Sequence, residues 1–180
     1  MAVFFTSDQH FGHANIIAYC GRPFRNVEEM NREIVARHNA RVSPDDVVYH
    51  LGDFSLQERL VPQILPLLNG RKTLVMGNHD KCFKDKKAVS RYLHYGFEHV
   101  CVELVYPPLD AKLCHMPYAF DGEADRRYFD KRPKDDGGWL LHGHVHERWK
   151  TKGRMINVGV DQWSFAPASE EELRGMMERA

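Results

Sequence analysis

The sequence predicts an α/β fold, and three observations carry that prediction. Three short apolar runs, Val3-Phe4-Phe5-Thr6-Ser7, Val47-Val48-Tyr49-His50-Leu51 and Thr73-Leu74-Val75-Met76, are rich in β-branched and aromatic residues and read as strands buried on both faces. Helix-like stretches lie between them. One spans Val27 to Asn39, with Val27, Met30, Ile34 and Val35 as its apolar positions; the other spans Leu56 to Leu68, where Pro62 and Pro66 are placed to kink or split it. The resulting order of strand, helix, strand, helix, strand is that of a sheet built with right-handed crossovers.

The second half reads as richer in strands: Glu98 to Tyr106, Ala111 to His115, Trp139 to His142 and Met155 to Val158. A last helix is predicted from near Ser169, because Ser169 and Glu172 have the spacing of a capping box. Asp121 to Gly138 is charged, turn-rich and nearly free of aliphatic residues, and reads as a long surface loop. Both its ends lead to histidine-bearing segments, so it is expected along the rim of a cleft, where it would govern substrate choice. No repeat or linker divides the 180 residues, so residues 1–180 are read as one domain burying roughly two thirds of its extended-chain surface.

Composition narrows the function classes. No apolar run approaches the ~20 residues of a membrane-spanning helix, and the strand-like run that follows Met1 has no basic or cleavable leader before it, so a cytoplasmic location is expected. Lys plus Arg (25) cancel Asp plus Glu (25), leaving no general positive field for nucleic acid. The basic clusters Lys84 to Lys87 and Arg126 to Lys134 are interrupted by Asp85, Asp125, Asp130, Asp135 and Asp136, and read as solvated loops. Cys20, Cys82, Cys101 and Cys114 show no paired spacing and are expected as free thiols. Eleven histidines, several at strand ends beside Asp, Asn or Gly, point to metal.

Ligands of open α/β sheets bind beyond the carboxyl ends of the strands. The polar residues at those ends are Asp8, His10, Asp53, Asn78 and His79, joined later by His115, His144 and His146. Asp8 and His10 are two apart, as are His144 and His146, so each pair points to one side of an extended segment and two pairs can grip one ion from two directions. Singly, these elements are common: Gly-Asp and Gly-Asn are ordinary turns. His38, His50, His94, His99 and His142 have no such partners and read as structural.

The ordered set is far more specific. Asp8-Gln9-His10, Gly52-Asp53, Gly77-Asn78-His79-Asp80, His115 with Pro117, and Gly143-His144-Val145-His146 together resemble the signature of the calcineurin-like metallophosphoesterase superfamily. The stretches His10-Phe11-Gly12-His13-Ala14-Asn15, Cys20-Gly21-Arg22-Pro23-Phe24 and Asn157-Val158-Gly159-Val160-Asp161 resemble its compact bacterial and phage branch, the last expected to support the site from a closing strand. The resemblance implies a sandwich of two β-sheets flanked by helices. It implies a first metal bound by Asp8, His10, Asp53 and His146, and a second bound by Asp53, Asn78, His115 and His144, with Asp53 bridging. The imidazole and oxygen donors suit two divalent ions among Mn, Fe, Zn, Co and Ni, with Mn favoured.

The implied reaction is hydrolysis of a small phosphate ester by a metal-bridging hydroxide. A phosphodiesterase acting on nucleotide-like or cyclic phosphates is favoured, with a phosphomonoesterase, including a protein phosphatase, as the alternative and a non-catalytic scaffold of the same fold behind it. A mononuclear iron oxygenase would leave Asn78, His115 and His144 without a purpose. His79 is expected as general acid or hydrogen-bond donor to the transition state, with Asp80 orienting its imidazole. His13, Asn15, Arg22 and Arg25 are the candidate substrate contacts.

Overall fold

The first two apolar runs form strands β1 (Val3–Thr6) and β2 (Val47–His50), and the third lies within β3 (Arg71–Val75). In the computed structural model, which describes residues 1–118 and 128–180, these three are parallel neighbours, flanked by β4 (His99–Cys101) on one side and by an antiparallel edge strand, β10 (Ala168–Ser169), on the other. A second mixed sheet has the order β5-β6-β7-β9-β8, where β5 is Glu103–Tyr106, β6 Ala111–Cys114, β7 Trp139–His142, β8 Thr151–Lys152 and β9 Met155–Asn157. The fold is therefore α/β, with two mixed sheets flanked by helices.

Strand periodicity explains the layers. Phe5 and Val75 of the first sheet meet Leu113, Leu141 and Ile156 of the second in one apolar cluster between the sheets. Their chain neighbours point the other way. Leu74 enters the cluster under α2 (Val27–Arg41), α3 (Val61–Ile64) and α5 (Val89–Tyr95), where Met30, Ile34, Val61, Leu65 and Tyr92 are buried. Leu140 and Met155 join Cys114 and Met116 on the outer face of the second sheet.

Helix α2 is capped by the Asn26 side chain, which accepts from the Glu29 N–H at 2.8 Å, and it runs two residues beyond the expected end at Asn39. The Leu56 to Leu68 stretch is split, as its prolines predict, into a 3-10 turn, the single turn α3 and a second 3-10 turn. The expected capping box opens α6 (Glu170–Met177): Ser169 Oγ accepts from Glu172 N and Glu172 Oε2 accepts from Ser169 N. All four cysteines are free.

The expected single strand Glu98 to Tyr106 is two strands in different sheets, β4 and β5, separated at the exposed Val102. The crossing breaks the alternation, with Val102 and Glu103 both exposed between Cys101 and Leu104, which pack against the cluster between the sheets. The short helices α1 (Ala14–Tyr19) and α4 (Lys81–Lys84), together with α5, occupy segments not read as helical from the sequence. Among the described residues no helix is long and apolar enough to cross a membrane.

Candidate metal centre

The carboxyl ends of both sheets converge. Ser7, just after β1, forms a parallel bridge with Gly159, just after β9, and the Val160 N–H donates to the Ser7 carbonyl at 3.0 Å. Asp8 and His10 follow β1, Asp53 follows β2, Asn78 follows β3, His115 ends β6, and His144 and His146 follow β7. Five of these seven residues have left-handed backbone: Asp8 (φ 59°), His10 (53°), Asp53 (54°), His144 (72°) and His146 (49°). Such conformations are costly for residues with a Cβ and cluster where function requires them.

Two glycines let the chain close around the carboxylates. A Cβ on Gly143 would stand 2.0 Å from Ser7 Oγ and 2.3 Å from Asp8 Oδ2, and one on Gly77 would stand 2.2 Å from Asp53 Oδ1. Only hydrogen fits at either position. The Gly-His and Gly-Asn pairs of the sequence are therefore close approaches of one segment to another segment's ligand.

The donor atoms form two overlapping groups, Asp8 with His10 and His146, and Asp8 with Asp53 and His115, each lying within 4.8 Å. A single oxygen, Asp53 Oδ2, lies 3.5 Å from His10 Nε2 and 3.4 Å from His115 Nε2. Asp8 Oδ1 lies 3.9 Å from both His10 Nε2 and His146 Nε2. Asn78 Oδ1 is 3.1 Å from His115 Nε2, and the His144 ring centroid is 5.2 Å from that of His115. Donors bound at about 2.0–2.2 Å to a common ion are themselves separated by roughly 3–3.5 Å, so the shortest of these spacings suit coordination.

A buried hydrogen-bonding atom without a partner is uncommon in native proteins. Both ring nitrogens of the buried His10 are in that position. The electrostatics agree with a site for cations. Burial opposes ionisation of Asp53, but the charges of His115 and His10 outweigh it and hold the carboxyl well below the usual range. His115 is raised to about 9 against its burial, chiefly by Asp53, and His146 to about 11 against its burial, by Asp8 and the Asp161 hydrogen bond. Burial lowers His10 strongly and His144 to about 2. Burial raises the Asp8 carboxyl, against the lowering charges of His146 and His115; imidazole, carboxylate and amide donors without thiolate fit a first-row transition ion.

Comparison with known proteins adds kinship to this geometry. No family model matches the chain. The uncharacterized protein MJ1445 of Methanocaldococcus jannaschii is 35% identical over 98% of this chain and 92% of its own length. The chain belongs to the same family. Gene 66 protein of Mycobacterium phage D29 is 33% identical over 89% of this chain and 88% of its own. The crystal structure of a protein of unknown function, AQ665 from Aquifex aeolicus, aligns with a TM-score of 0.71 at 29% identity, covering 97% of this chain and 98% of that one.

In this member of the MJ1445 family, His79 is exposed beside the centre, its ring 5.5 Å from that of His10 and its N–H donating to Asp53 Oδ1 at 2.8 Å. Asp80 corrects the sequence reading. Its buried carboxylate accepts from the backbone N–H groups of Gly77, Asp53 and Phe54 at 2.8–3.0 Å, clamping the two ligand loops together instead of orienting the His79 ring. Burial, reinforced by Asp53, raises this carboxyl to about 7.

Of the candidate substrate contacts, His13 is at the centre, its ring 5.4 Å from that of His10. Asn15 is exposed on α1. Arg25 is exposed and forked onto Glu29, an ordinary pair along the helix surface. Arg22 is a second correction. It is 4% exposed and fully engaged inside the protein, so it cannot clamp a substrate oxygen. The expected loop from Asp121 to Gly138 lies partly outside the described residues; in its described part the Tyr128 ring is 6.0 Å from that of His144, and Lys112 pairs with Asp136 at 2.7 Å.

The expected support from Asn157 to Asp161 is present. Asn157 Nδ2 donates to the carbonyl of the left-handed His146 at 2.8 Å, and Gln162 Nε2 donates to the same oxygen at 3.0 Å. Cys20 and Asp161 sit close enough to His146 to form a third donor group, which the sequence reading did not assemble. Its residues were visible in the sequence only as members of two separate stretches, around Cys20 and around Asp161, with nothing to join them.

Proposed function

We propose that this protein is a phosphoesterase of the calcineurin-like metallophosphoesterase superfamily, using two divalent ions, with Mn favoured. The observation that carries this reading is the position of Asp53 Oδ2 between His10 Nε2 and His115 Nε2, at 3.5 and 3.4 Å, where one carboxylate oxygen can be shared by two cations. Asp8, His10, Asp53 and His146 would hold one ion; Asp53, Asn78, His115 and His144 would hold the other. Two ions so placed supply Lewis acidity to phosphoryl oxygens and lower the pKa of a water towards neutrality.

The chain's own groups do the rest. Asp53 keeps negative charge at the centre of the histidine cluster, and the close contacts at Gly77 and Gly143 hold the Asp53 and Asp8 carboxylates in place. His79, exposed at the rim, donates a proton or a hydrogen bond to the leaving oxygen of the ester. His13, whose ring like that of His79 lies beside the His10 ring, contacts the remainder of the substrate.

Within this reading a small phosphodiester of nucleotide type is the favoured substrate class. The test is a screen of chain loaded with Mn against bis-p-nitrophenyl phosphate, p-nitrophenyl phosphate and cyclic nucleotides. Diester turnover exceeding monoester turnover and abolished by chelator is the expected result. A reversed ratio would replace the diesterase with a monoesterase, and bound metal without turnover of any ester would make the protein a scaffold.

A further inference from the structure

One arginine reaches both sides of the centre. Arg22 lies just after α1, far in sequence from the C-terminal segment, yet its Nε donates to Asp161 Oδ1 at 2.8 Å and its Nη2 to Asp161 Oδ2 at 2.9 Å. The same Nη2 donates to the Asp8 carbonyl at 2.7 Å, and Nη1 donates to the Gln9 carbonyl at 3.0 Å. Asp161 Oδ2 in turn lies 3.4 Å from His146 Nδ1, while the opposite ring nitrogen, Nε2, faces Asp8. The chain of contacts thus runs from Asp8 through Arg22 and Asp161 to His146 and back to Asp8.

Asp161, His146 and Cys20 are close enough to suggest a third ion, but their surroundings argue otherwise. Both carboxylate oxygens of Asp161 already accept from the Arg22 guanidinium, and that fixed positive charge would repel a cation placed among them. The carboxylate is instead oriented towards a ring nitrogen whose partner nitrogen points at the centre. A histidine ligand usually gives its second ring N–H to such a group, which fixes the tautomer and orientation and strengthens the imidazole as a donor.

We infer that the Arg22–Asp161 pair is a positioning device for the first metal site: Asp161 sets the ring of His146, and Arg22 sets both Asp161 and the backbone of Asp8. The inference rests on the dimetal reading above. The second site has its own device, because His115 Nδ1 is 2.8 Å from the Leu51 carbonyl and neither Arg22 nor Asp161 touches Asn78, His115 or His144 in any contact described. The arrangement also accounts for a buried arginine at this position. Its donors satisfy the carbonyls of Asp8 and Gln9, which the left-handed turn at Asp8 directs inward.

The test measures Mn binding by calorimetry on the full chain, with each site isolated in turn. Asn78→Ala leaves the first site for measurement and His10→Ala leaves the second. Adding Asp161→Asn to the Asn78→Ala chain is expected to weaken the remaining ion by roughly 10- to 100-fold, whereas adding it to the His10→Ala chain leaves affinity within about twofold. Asp161→Glu should restore part of the first-site loss. Arg22→Lys, which keeps the charge but not the fork, should weaken the same ion and guards against an Asp161 variant that fails to fold.

Equal weakening at both sites would mean that the pair only supports the fold, and no change at the first site would remove it from metal binding; either result overturns the inference. Failure of the unaltered chain to bind Mn at all would be a failure of the dimetal reading itself, visible before any variant is made.

Discussion

A β-carbon on Gly77 would lie 2.2 Å from both the backbone nitrogen and Oδ1 of Asp53. The backbone after β3 thus rests directly on the carboxylate shared by the two histidines, and Asp80 Oδ2 ties the same two places together by accepting from Gly77 N and Asp53 N. Gly77→Ala must push one loop away from the other. The expected outcome is a chain destabilised by about 1–3 kcal/mol, the usual range for overpacking, that also binds less Mn. Urea denaturation with metal analysis checks both; an alanine variant with unchanged metal content would show that the two loops are not held at a fixed spacing.

Asp53→Asn changes charge without changing size. Asp53 is held ionised among His115, His10 and His79, so the amide removes the negative centre of the cluster and leaves two cations with no shared anion. Metal analysis of the purified variant should find fewer than two ions per chain, and ester turnover should fall with them. Two tightly bound ions and normal rates in this variant would remove the bridging role from Asp53.

His79→Ala should separate binding from rate. The side chain is exposed and stands outside the donor groups, while only its backbone N–H is committed to Asp53. Metal content is expected to persist while turnover of an alkyl ester falls by about 10²–10⁴-fold, the usual contribution of a positioned acid, with a smaller loss for p-nitrophenyl esters that need little protonation. Equal losses for both leaving groups would argue against proton donation.

These candidate residues were legible because each follows a strand, Asp53, Asn78 and His144 come directly after glycine, and Asp8 with His10 and His144 with His146 are spaced two apart, a pattern that survives in one dimension. Glycines 77 and 143 carry the pattern because their neighbours' carboxylates leave no room for a Cβ. The role of Asp80 was not legible, since a carboxylate next to His79 in sequence turns away to collect three backbone N–H groups. Nor was that of Arg22, whose partner Asp161 is 139 residues away. An arginine is ordinarily a surface charge, and only the fold reveals three buried acceptors around this one. The sheet change was hidden because a single residue, Val102, separates the two strands and no turn residue marks the crossing.

The last prediction concerns acid stability and involves the helix side of the first sheet. His38 and His50 are buried with their rings 6.0 Å apart and nearly parallel; His50 also packs on Phe54 and Phe97, and neither of its ring nitrogens has a hydrogen-bond partner. Burial lowers His38 to about 4, with Lys72 adding to the effect and the Asn69 carbonyl opposing it, and burial holds His50 well below its ordinary value, with His38 and Lys72 adding to it. Both folded-state values lie below the ordinary 6.5, so the unfolded chain takes up these protons first. Stability from the pair is complete above about pH 6.5 and is lost as pH falls towards 4, where the His38 contribution levels off. At pH 5 the gap from 6.5 corresponds to about 2 kcal/mol for His38, at 1.36 kcal/mol per pKa unit. His50→Leu should therefore lose less stability than the unaltered chain between pH 7.5 and pH 5.0, when both are stripped of metal and unfolded in urea. An identical acid loss in both would mean that His50 is protonated, or reached by water, in the folded state.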